Sequence, residues 1–158
     1  MLVKDAMRKQ IIAAKESTTL KELVQIFYKY NFHALPVIKE NNKLVGIVSL
    51  EDVLKIFEPS PPYIMETLRR SPFWDELEEI NLLEIDIPAE MGVLFIVKDL
   101  MNTNAITIDE EATIAQTRSL LKLHHLKRLP VVDENGYLKG IISLLDIIIA
   151  IFKEKNIL

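Results

Sequence analysis

Two Ser-x-x-Asp sets carry the chemistry this sequence can offer: Ser49 with Asp52, and Ser143 with Asp146. Each follows a strand-like run, Gly46-Ile47-Val48 or Gly140-Ile141-Ile142, and opens an apolar run of helical type. At a strand-to-helix turn a carboxylate can accept both hydroxyls of a ribose. The helix start there offers free N–H groups and positive potential to a phosphate. The same spacing also suits a plain helix start, with Ser as N-cap and Asp in the first turn. Spacing alone weighs the two readings evenly, and both roles can coexist. His124 and His125 are adjacent, so on a helix they point apart and cannot share a metal as residues four apart would. No nucleophile motif, glycine-rich phosphate loop or acid–base pair stands out, and four glycines in all leave little room for such a loop. Neither an enzyme nor a metal site is expected.

The elements that must position these residues are duplicated. Val3-Lys4-Asp5 and Met7 recur as Val97-Lys98-Asp99 and Met101, an offset of 94 (97 − 3). The same offset relates Leu35-Pro36-Val37 to Leu129-Pro130-Val131, and Gly46-Ile47 to Gly140-Ile141. A constant register through separated motifs makes each copy one structural unit, packed against its twin. In each copy a strand-like run (Ile11–Ala14, Ala105–Ile108) precedes a capping box, Thr19 with Glu22 or Thr113 with Gln116. Leu20, Leu23, Val24 and Phe27 then fall at helical spacing, as do Ile114, Leu120 and Leu121. Two strands follow around a turn, Leu35–Ile38 to Leu44–Val48 and Leu129–Val132 to Leu138–Ile142, with Asn-Gly at 135–136 suited to positive φ. A second helix runs Leu50–Phe57 and Leu144–Phe152. The repeat is β-α-β-β-α, and the fold class expected is α+β.

Residues 1–57 form the first repeat and 93–158 the second. Between them, 58–92 matches neither. Pro59, Pro61 and Pro62 end the preceding helix, and two short helical patterns flank Pro72 (Ile64, Met65, Leu68; Phe73, Leu77, Ile80). Their acidic face reads as solvated; the sharper alternative is a lid with Phe73 or Trp74 as apolar wedge.

Of the 158 residues 49% are apolar, enough to bury a core as one domain or two lobes. The chain has no cysteine, which excludes disulfides and thiolate metal sites and points to a reducing cytoplasm. Its N-terminus lacks the layout of a signal peptide, and its most apolar stretch, Gly140 to Phe152, is too short to span a bilayer. The net charge of −4 is uneven: residues 58–92 carry two Lys/Arg against nine Asp/Glu, while 93–158 carry eight of each. With no basic stripe, nucleic acid is not an expected partner.

Leu-Pro-Val, a turn, a strand ending Gly-Ile-Val-Ser or Gly-Ile-Ile-Ser, and Leu-x-Asp opening a helix together resemble the CBS domain, over residues 3–57 and 97–152. The resemblance implies a tandem pair with pseudo-two-fold symmetry, often called a Bateman module. It also implies adenosine-ligand sensing (AMP, ADP, ATP or S-adenosylmethionine) without a required cofactor, and frequent homodimerisation. By resemblance, Ser49, Asp52, Ser143 and Asp146 hold ribose. Adenine lies against Ile11, Ile12 and Ala13 in the first copy, or Ala105, Ile106 and Thr107 in the second. Phosphate contacts fall to the residues before Leu-Pro-Val, Lys127 and Arg128 in the second copy but His33 and Ala34 in the first. Outside the resemblance, Lys127 and Arg128 read equally well as solvated charges.

The copies are therefore expected to be unequal, with the second better equipped. A cleft can also draw its basic residues from one repeat and its Asp from the other. The last helix is apolar on nearly every face and must be covered on all sides, for which a homodimer is the economical explanation. The function expected is a stand-alone cytoplasmic module that senses an adenine nucleotide and modulates an unknown partner protein. The alternative is an interaction or scaffold module acting through its dimer surface and acidic insert.

Overall fold

Reciprocal caps start the long helices where the sequence places them. Thr19 Oγ1 accepts from Glu22 N–H at 3.3 Å while Glu22 Oε2 accepts from Thr19 N–H at 2.8 Å. Thr113 and Gln116 repeat the arrangement at 3.2 and 2.8 Å. Two donors that a helix start would otherwise leave unpaired are satisfied in each case.

The computed structural model describes residues 1–57 and 89–158. The expected helices and acidic face around Pro72, and the lid alternative, lie outside the described residues. The first repeat holds α1 (Val3–Ala6), β1 (Ala14–Lys15), α2 (Leu20–Tyr30), β2 (Ala34–Ile38), β3 (Leu44–Ser49) and α3 (Leu50–Leu54), which ends in a 3-10 turn, Lys55–Phe57. After α4 (Met91–Leu94) come α5 (Val97–Leu100), β4 (Ile108–Asp109), α6 (Ile114–Leu123), β5 (Arg128–Val132), β6 (Leu138–Ser143) and α7 (Leu144–Glu154). Each repeat builds one three-stranded sheet, β1-β2-β3 or β4-β5-β6, with a parallel first pair and an antiparallel second. The architecture is α+β.

The first strand of each sheet is shorter than expected. Only Ala14–Lys15 and Ile108–Asp109 join the ladders, opposite Val37–Ile38 and Val131–Val132. Residues 11–13 and 105–107 lie outside them, because the chain there is still crossing from one repeat to the other. On α2, Leu20, Leu23 and Phe27 are buried as the spacing predicts, while Val24 is exposed.

That crossing is the organising feature of the pair. Val3 of α1 packs in the second core with Leu121, Leu129, Val131, Ile142 and Ile147. Val97 of α5 packs in the first, with Leu23, Phe27, Leu35, Val37 and Val48. The sequence units 1–57 and 93–158 therefore exchange their lead-ins. Backbone bridges between repeats come in matched pairs: Leu2–Thr113 with Thr19–Ile96, and Arg8–Ile141 with Ile47–Asn102. Adding or subtracting the repeat offset turns each bridge into its mate. Lys43–Tyr137 turns into itself, so it sits on the pseudo-two-fold axis. There the hairpins meet, with Leu44 N–H donating to Gly136 O at 3.1 Å and Leu138 N–H to Asn42 O at 3.0 Å. Asn42 and Gly136, both at positive φ (68° and 81°), make the two turns.

The close approach of each lead-in explains the glycine before the Ser-x-x-Asp sets. A Cβ on Gly46 would stand 2.7 Å from Asn102 O, and one on Gly140 would stand 2.9 Å from Arg8 O and 2.6 Å from Met7 Sδ. The lead-in backbone occupies the space any side chain would need.

Candidate functional site

The bridge between Arg8 and Ile141 (N to O, 2.9 and 3.0 Å) lays the first copy's linker across the second copy's β6. A cavity of about 720 Å³ results. Its wall from the first repeat is Arg8, Gln10, Ile11 and Ile12 from the linker, with Phe32, Ala34 and Leu35 at the start of β2. From the second repeat come Arg128, Ile141, Ser143, Leu145 and Asp146. The lining thus combines apolar side chains, among them Ile11, Ile12 and Phe32, with one carboxylate and two arginines.

Asp146 is placed by the strand-to-helix turn. Its Oδ2 accepts from Ser143 N–H at 2.8 Å and from Ser143 Oγ–H at 2.6 Å, and its own N–H donates back to Ser143 Oγ at 3.3 Å. Oδ1 accepts from Arg8 Nε–H at 2.7 Å. Its side chain is 6% exposed and that of Arg8 is 60% exposed. Burial, the largest single influence, pushes the carboxyl upward. The hydrogen bonds from Ser143 and Arg8 together outweigh it and hold the group below the usual carboxylate range. Asp146 is ionised at neutral pH.

Both readings of Ser-x-x-Asp meet in this geometry. The Ser is an N-cap and the Asp completes a capping box, in both copies. That narrows the expectation of a free helix start. Ser143 N–H is held by Asp146, Leu144 N–H by Lys127 O at 3.1 Å, and Asp146 N–H by Ser143 Oγ. The same holds in the first copy, where Leu50 N–H donates to His33 O at 2.9 Å. With these three amides satisfied internally, attraction for a phosphate falls mainly to side chains.

Of the cationic candidates, Arg128 lines the cavity, with its guanidinium 6.0 Å from the Phe32 ring centre. Lys127 and His33 are exposed and are absent from the wall, where their carbonyls serve the helix starts instead. Ile12 lines the cavity and Ala13 beside it is half-buried. Ala105, Ile106 and Thr107 are half-buried on the other linker, which follows Asn102 after that residue pairs with Ile47 at 2.8 and 2.9 Å. The structure therefore separates Thr107 from Asp146. The Asp146 cleft combines the first copy's linker with the second copy's Ser, Asp and Arg128.

Ser49 and Asp52 form the matching turn. Asp52 Oδ2 accepts from Ser49 N–H at 2.8 Å and Ser49 Oγ–H at 2.9 Å, and Oδ1 takes Lys55 Nζ at 3.3 Å, one turn along the same helix. A shallower depression of about 500 Å³ beside the first hairpin is lined by Lys15 and Glu40, already paired with each other at 2.9 Å. Among the described residues no cluster of His, Asp and Glu is placed to hold a metal, and no helix is long and apolar enough to cross a membrane.

Arg8, Gln10 and Phe32 line the cavity without having been singled out in the sequence. Arg8 had a signal: its position in the second copy is Asn102, so the repeat itself marks a cation present in only one half.

The CBS domain family model matches residues 3–59 and 97–153. The chain belongs to the CBS domain family. An uncharacterized protein of Methanocaldococcus jannaschii is 31% identical to this CBS pair over 166 residues, covering 96% of this chain and 91% of its own. A CBS domain-containing protein of Dictyostelium discoideum is 26% identical over 156 residues, covering 97% and 94%. Among solved structures, the CBS-pair protein CBSX2 from Arabidopsis thaliana superposes with a TM-score of 0.70 at 25% identity, covering 98% of this chain and 96% of that one. CBSX2 in complex with AMP superposes with a TM-score of 0.67 at 25% identity, covering 98% of each chain.

Proposed function

We propose that this CBS pair is a regulatory module, not an enzyme, which binds an adenine nucleotide in the Asp146 cleft and modulates a partner protein. The observation that carries the reading is the Ser143-held Asp146 in the lining of a cavity shared with Ile11, Ile12 and Phe32. A flat aromatic base fits the apolar wall, a ribose diol fits the carboxylate, and a phosphate fits the guanidinium groups. The AMP complex of CBSX2, alike over 98% of both chains, supports the same ligand class here. Ligand binding acts on a partner only through a difference in affinity between two states of the module.

Thermal melting against AMP, ADP, ATP, S-adenosylmethionine and NAD tests this. A ligand at about 100 times its dissociation constant adds roughly 2.7 kcal/mol, a readily visible shift. Asp146→Ala is expected to abolish the shift and Asp52→Ala to spare it. No shift with any of these compounds would favour a scaffold instead.

Homodimerisation through α7 belongs to the same proposal. Ile147 and Ala150 of that helix are buried, yet Leu144, Ile148, Ile151 and Phe152 remain exposed, as do Leu50 and Leu54 of α3. A contiguous apolar face of this kind is uncommon on a monomer.

A further inference from the structure

Asp146 is nearly full before any ligand arrives. A carboxylate offers about four lone-pair sites. Ser143 N–H and Oγ–H take two on Oδ2, and Arg8 Nε–H takes one on Oδ1. A ribose diol brings two hydroxyl donors, so the second can bind only when Arg8 leaves Oδ1. The arginine is well placed to move. Its backbone is fixed beside Ile141, which keeps its reach inside the cleft, while its side chain is 60% exposed.

We propose that Arg8 is an internal competitor for Asp146 that makes this cleft selective for 5′-phosphorylated nucleosides. The ribose displaces the guanidinium from Oδ1, and only a ligand carrying a phosphate gives it a new partner. This rests on the reading of the cleft as an adenosine site. A neutral nucleoside would break the Arg8–Asp146 pair and offer the guanidinium no new partner, so its gain at Asp146 is offset by the loss of that pair. S-adenosylmethionine, with a sulfonium and an ammonium against one carboxylate, would meet the positive charges of Arg8 and Arg128. A phosphate instead accepts from Arg8, with Arg128 lining the same cavity as a second cation. The other half has no equivalent among the described residues, since Asn102 stands at the matching position and the cation on Asp52 Oδ1 is Lys55, three residues along its own repeat.

Calorimetric titration of the full chain with AMP and with adenosine tests the proposal. The wild-type chain should bind AMP more tightly than adenosine by about ten- to a hundredfold, the worth of a hydrogen bond to a charged group. In Arg8→Gln that ratio should fall at least severalfold, chiefly through tighter adenosine binding as the competitor is removed, while Arg8→Lys should keep most of it. An unchanged ratio in Arg8→Gln overturns the proposal and leaves the adenosine site standing. Binding of neither ligand to the wild-type chain overturns both. The Arg8 Nε–H resonance of the unmodified chain gives a measurement free of any folding defect. Saturating AMP should move it away from its Asp146-bonded position, and a resonance that stays in place defeats the proposal.

Discussion

Asp146 serves stability and recognition with the same two oxygens. It completes the cap of α7, ties the first lead-in to the second repeat through Arg8, and is the acceptor proposed for ribose. Because its folded pKa lies below the ordinary carboxylate value, its contribution to stability is present above that value. It is lost as pH falls through the lower, folded value. Melting temperature should therefore hold from neutral pH down to the ordinary carboxylate range and drop below it. Asp146→Asn should lower the neutral-pH melting point and flatten that part of the acid limb; an acid limb unaltered in the variant would show that other carboxylates govern it. The Ser and Asp of this site were legible from spacing, but their acceptor capacity was not. The decisive partner, Arg8, lies 138 residues away in sequence.

At the scale of elements, patterns that depend on near neighbours were readable. Capping boxes, hairpins and the alternation of strands and helices all arise within a few residues, and each appears where its residues predict. The linkers were not, because Ile11 and Ile12 line the cavity, with Ile12 also packed on the first core, and neither joins a ladder. A run of β-branched residues looks the same in either role. The last helix shows the complementary difficulty: its composition called for burial all round, yet one face stays open in the single chain. Gly46 and Gly140 explain how the linkers are held. Alanine at either position should destabilise the fold by about 1–3 kcal/mol, the usual cost of overpacking. Chemical denaturation would measure this, and near-wild-type stability in both variants would mean that the lead-ins can lift off cheaply. Gly140→Ala should also weaken AMP binding, since Arg8 O stands where the new methyl would go.

For the whole molecule, the exposed face of α7 carries the assembly prediction. Ile148→Lys places a charge in the middle of that face and should convert a dimer to a monomer in light scattering. A variant that remained dimeric would place the interface elsewhere. The pseudo-symmetry was legible from the repeat offset, since a duplicated unit must pack against its twin. The trade of lead-ins was not, since Val3 and Val97 are equivalent residues and either core would accept either valine. The consequence concerns ancestry as well as engineering. A half-length chain of this design would lack the piece that closes its own core, and could complete itself only by trading arms with a second copy. The present chain is thus a domain-swapped pair made permanent by a covalent tether. Cutting it between the repeats should leave two fragments that regain structure only by pairing, with each other or with a second copy of themselves.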